Sequence, residues 1–145
     1  MTAADLEAVR AGLGREPTAD FEVVVRDAVG TPLVLRNGPF TRAGEPMPTR
    51  YWLLDPTLSR RVARLEAAGG VRAAEAAVDA TDLARAHAAY AADRDAAIPP
   101  DWDGPRPHGG VGGARAGVKC LHAHYAWHLA GGDDPVGAWV AERLG

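Results

Sequence analysis

The sequence predicts an α+β domain in which a small three-stranded antiparallel sheet packs against four or five helices. Three observations carry this reading. β-Branched runs are confined to the first third of the chain, alanine-rich segments with apolar residues at helical spacing fill the rest, and Asp-Pro pairs at 55–56 and 134–135 mark helix starts.

Leu6, Val9 and Leu13 recur at helical spacing behind Thr2 and Asp5, and Gly14 stops them, which predicts a short and frayed N-terminal helix within residues 1–14. Phe21 to Arg26 partly alternates, Gly30-Thr31-Pro32 is turn chemistry, and Leu33 to Arg36 continues in the same style, so a hairpin is predicted. The Gly- and Pro-rich stretch from Asn37 to Pro48 reads as a loop leading into a third strand at Thr49 to Leu54.

Asp55 and Pro56 then open a helix whose apolar stripe is Leu58, Val62 and Leu65, ending at Gly69-Gly70. Arg60, Arg61 and Arg64 fall off that stripe and offer a charged face to a protein partner. A further helix is predicted from Val71 to about Val78, and another opens near Thr81 with Leu83, His87 and Tyr90 on one face. Residues 98–115 carry four prolines, a lone Trp102 and a glycine run, a Pro/Gly loop of functional length. A helix from about Ala116 to Ala130 follows with Val118, Leu121, Tyr125 and Leu129 as its core stripe, then a break at Gly131-Gly132 and a last helix capped by Asp134 and Pro135.

At 145 residues the chain fits a single domain, residues 1–145, able to bury a core without disulfides or structural metals. A formal net charge of −3 argues against generic binding to nucleic acid or acidic membranes, and no apolar run reaches the roughly 20 residues a spanning helix needs. One cysteine cannot form an internal disulfide, and the N-terminus lacks the order of a secretory signal, so a cytoplasmic location is expected.

The reactive side chains gather in one short stretch. The only lysine, Lys119, adjoins the only cysteine, Cys120, between the glycine run from Gly109 to Gly117 and the histidines His122, His124 and His128. If the glycine run enters directly into a helix, its amides form an anion site. Gly110, Gly112 and Gly113 would supply backbone donors, Arg115 and Lys119 charge, and His122 and His124 the lining. The run is not a phosphate-binding loop of the Walker type, because Val118 stands where that motif places lysine and no Ser or Thr follows Lys119. The competing reading is a glycine hinge with a surface Arg and Lys.

On a continuous helix Cys120, His124 and His128 follow one another at i, i+4 and i+8, a spacing that can hold a divalent metal if another element adds a ligand. His87, His108 or a carboxylate are the available additions. Lys119, Cys120 and His122 are also candidates for thiol catalysis, since a neighbouring cation and a helix start lower a thiol pKa. The plainer alternative is that Cys120 is a small buried hydrophobe and the histidines hydrogen-bond to backbone or carboxylates.

Three phrases resemble the bacterial domain-of-unknown-function family 501: Met47 to Leu53, Arg64 to Val71, and Gly117 to His128 running on through Gly137. The resemblance spans roughly residues 14 to 143 and implies a small cytoplasmic bacterial protein with no nameable activity. It implies a second cysteine in the hairpin near Asp27 to Val29, which this chain lacks, and that counts against a four-ligand zinc site. The favoured expectation is a binding module for an anionic, phosphate-bearing small molecule. The alternatives are a metal-dependent hydrolase or thiol enzyme using Cys120 and its histidines, and a protein-interaction module.

Overall fold

Side-chain caps set where most of the helices start. In the computed structural model, which describes residues 1–145, Thr2 and Asp5 cap each other's backbone amides and open α1 (Ala3–Leu13), which closes at Gly14 in the left-handed conformation. Asp55 accepts from the Leu58 N–H to start α2 (Pro56–Ala67), and Asp79 caps α4 (Ala80–Asp95). Asp134 accepts from Val136 and Gly137 to start α6 (Pro135–Leu144). Between these lie α3 (Gly70–Ala77) and α5 (Leu121–Leu129), making six α-helices, and none is long and apolar enough to cross a membrane.

The sheet is antiparallel in the order β1 (Ala19–Arg26), β2 (Pro32–Thr41), β3 (Tyr51–Leu53). Successive side chains on a strand face opposite ways, and β2 shows the result. Val34 joins the main core with Tyr51, Leu53, Val62, Tyr90, Leu121, Trp127 and Val140, whereas Leu35 packs with Val9 and Leu54 beneath α1. The sheet therefore lies between α1 on one face and the other helices on the opposite face, an α+β arrangement. Fully burying a side chain such as Leu121 or Val140 stabilises by roughly 1.5–3 kcal/mol.

Three sequence expectations need correction. The stretch from Asn37, expected as loop, begins as the end of β2. Pro39 is tolerated because only its donor is missing, and its carbonyl still accepts from the Met47 N–H at 2.8 Å. Second, the helix expected from Ala116 starts at Leu121. Gly112, Gly113 and Gly117 all have positive φ, and Cys120 is extended at φ −155°, so the glycine run does not feed a helix. Third, α5 has no single core stripe. Leu121, Ala123, His124, Tyr125, Ala126 and Trp127 are all buried, so it runs through the molecule with apolar neighbours nearly all round.

Candidate functional site

The last turn before α5, the edge of β3 and the start of α2 enclose a cleft of about 370 Å³. Its walls include Thr49, Tyr51, Trp52, Ser59, Gly112, Lys119, Cys120, His122 and Ala123. Lys119 is exposed at its mouth, and a methyl group placed on Gly113 would lie 4.0 Å from Lys119 Nζ. The cleft receives the N-terminal end of α5, where the partial positive charge of aligned peptide dipoles is concentrated.

Behind this rim Cys120, His122 and Glu66 converge. Cys120 Sγ lies 3.8 Å from His122 Nδ1, and the same nitrogen is 3.3 Å from Glu66 Oε1. The other ring nitrogen, Nε2, donates to the Ser59 carbonyl at 3.0 Å, and the second Glu66 oxygen accepts from the Leu121 N–H at 2.8 Å. With Nε2 protonated for Ser59, a neutral ring would turn its Nδ1 lone pair toward a carboxylate and a sulfur. The Cys120 S–H can donate to that lone pair, whereas the Glu66 carboxylate favours a proton on it. The contact with Cys120, helped by the Ser59 carbonyl and Glu66 and opposed by burial, raises the His122 pKa to about 9.

The remaining residues of the stretch serve the interior. Arg94 is 1% exposed, and its Nη1 donates to the carbonyls of Pro48, His108 and Gly109 while Nε donates to Asp95. This guanidinium fastens the Pro/Gly loop to α4 and to the approach of β3. His87 accepts the Val111 N–H at Nδ1 and so donates from Nε2 to the Gly117 carbonyl, fixing both ends of the glycine turn. His124 Nδ1 donates to Asp134 Oδ2 at 2.6 Å with both side chains fully buried, and its Nε2 has no hydrogen-bond partner.

Several expected site residues are thereby relocated. The Gly110 N–H donates to the Ala114 carbonyl and the Gly113 N–H to the Gly110 carbonyl, so these two amides are already taken by the turn itself. Arg115 lines a separate depression with Glu75, Leu83 and His87. Cys120, His124 and His128 do not converge as metal ligands, because Cys120 precedes the helix in extended backbone. His124 is sealed against Asp134, and His128 stacks on Tyr125 with 6.4 Å between ring centroids. His87 is committed to the glycine turn, and the exposed His108 contributes its carbonyl to Arg94. Lys119, Cys120, His122 and Gly112 do meet, at the cleft.

Sequence reasoning missed Glu66, Ser59 and Arg94. One signal was available for the first two. Ser59 and Glu66 are seven residues apart on α2 and share a face, the one that also carries Val62, away from Arg60 and Arg64.

The family model described as "Protein of unknown function (DUF501)" matches residues 23–142, and the chain belongs to that family. No curated protein and no solved structure matches the chain.

Proposed function

We propose that the chain binds a small anionic, phosphate-bearing molecule in the cleft at the start of α5. The observation that carries this reading is the position of the chain's one lysine, exposed at the mouth of a cleft that also receives the positive end of a buried helix. Glu66 already holds the Leu121 amide, which narrows the anion's contacts to Lys119 and the His122–Ala123 end. Thr49 and Ser59 also line the cleft. A lone cysteine with no internal disulfide partner supports a cytoplasmic setting for this reading.

Thermal unfolding with inorganic phosphate, and then with a phosphate monoester, tests the proposal. At one hundred times the dissociation constant the ligand should add about 2.7 kcal/mol to stability, and Lys119→Ala should remove that gain. Equal stabilisation of both proteins, or none in the parent, rejects the reading.

A second reading is thiol chemistry at Cys120, supported by the 3.8 Å approach of its sulfur to His122 at a helix start. It requires alkylation by iodoacetamide faster than that of a free thiol at neutral pH. A rate equal to that of free cysteine dismisses it.

A further inference from the structure

We infer that Glu66, Cys120 and His122 form a binding site for one divalent metal ion of the zinc type, with a coordination position open to the cleft. One ligand atom from each of the three lies within 4.8 Å of the other two. In a tetrahedral zinc site, bonds of about 2.3 Å to sulfur and about 2.0–2.2 Å to nitrogen and oxygen place the sulfur about 3.5 Å from the nitrogen and the nitrogen about 3.4 Å from the oxygen. The corresponding separations here are 3.8 Å and 3.3 Å.

The outer contacts match as well. A metal-ligating histidine ordinarily donates its other N–H to a carbonyl or carboxylate, which fixes the ring and makes the free nitrogen a better ligand. His122 Nε2 does this to the Ser59 carbonyl, and the Leu121 N–H anchors the other Glu66 oxygen, Oε2. Thiolate, imidazole and carboxylate together suit zinc or a similar borderline ion rather than magnesium or calcium. Three protein ligands with a fourth position left to water or substrate is the arrangement of a catalytic rather than a structural zinc site. Cys120 and His122 both line the cleft, so that fourth position faces it. Binding is an exchange: the ion takes the place of the Cys120 thiol proton, and of a proton on His122 Nδ1 where one is held, and these leave to solvent. The inference does not rest on the anion reading.

The test uses full-length, tag-free protein stripped with a chelator and then titrated with cobalt(II) and zinc(II). One equivalent of cobalt should bind with a thiolate-to-metal charge-transfer band and the visible absorption of a tetrahedral ion, and zinc should displace it. Zinc should also protect Cys120 from iodoacetamide, a readout that needs no variant. Glu66→Gln and His122→Gln, each confirmed folded by circular dichroism, should weaken binding by more than the roughly 10–100-fold that loss of an outer-shell partner costs. Lys119→Ala should bind metal as the parent does while losing its response to phosphate, so the two readings fail separately. No stoichiometric cobalt in the folded parent, a bound ion without the thiolate band, or binding unchanged in His122→Gln overturns the site.

Discussion

The interior around His87, Arg94 and His124 and the rim around Lys119, Cys120 and His122 are built from the same kinds of side chain, yet they differ in what those side chains have left to give. In the interior, both nitrogens of His87 are committed to backbone, Arg94 serves three carbonyls and a carboxylate, and His124 is locked to Asp134. At the rim, Lys119 has an exposed ammonium, and one histidine nitrogen, a thiol and a carboxylate oxygen face one another without a backbone partner between them. Closeness in sequence does not separate the two groups, since His122 and His124 are two residues apart. On a helix that offset turns the side chains to different sides, and burial then decides which is structural.

The sharpest way to break the comparison is to remove an interior group. Arg94→Ala removes a buried guanidinium that serves the carbonyls of Pro48, His108 and Gly109 and should destabilise by about 3–5 kcal/mol in denaturant unfolding. A loss below 1 kcal/mol would place Arg94 with the dispensable surface arginines. Asp134→Ala takes away both the His124 partner and the cap of α6, and about 2–4 kcal/mol is expected from the same measurement.

Acid offers a milder probe at the far side of the sheet. The Arg26 guanidinium beside Asp5, with the Thr2 amide, holds that carboxyl at about 2, below its ordinary 3.8. A lowered folded-state value means the carboxylate stabilises the fold above pH 3.8, and the contribution fades as pH falls toward 2. Arg26→Ala should flatten that part of the stability profile without changing metal or phosphate binding. The smallest effect belongs to the rim: Lys119→Ala should move stability by less than about 0.5 kcal/mol, and a larger loss would make the lysine a structural residue after all.

Local signals were the legible part of the fold. Thr2, Asp55 and Asp134 each cap a helix within three residues of themselves, so their sequence neighbours suffice to place the helix starts. The start of α5 was not legible. Its geometry depends on Glu66, which takes the Leu121 amide from 55 residues away, and Glu75, which takes the Val118 amide from 43 away. The same distance hid the site: a helix drawn through Ala116 puts Cys120 in line with His124, whereas the observed extended Cys120 turns to His122 and meets a carboxylate from α2. Lys119, Cys120 and His122 are candidates from their closeness in sequence, but a continuous helix turns His122 away from Cys120, and their approach to one another and to Glu66 could be found only through packing.

The exposed lysine ammonium and the half-buried thiol stand side by side, and the chain has no other lysine and no other cysteine. Reagents for amines can react only here or at the chain's first residue, and reagents for thiols only here. A fluorophore, spin label or photo-crosslinker can thus be installed at the cleft mouth of the native sequence without mutagenesis, reporting directly on whatever enters it.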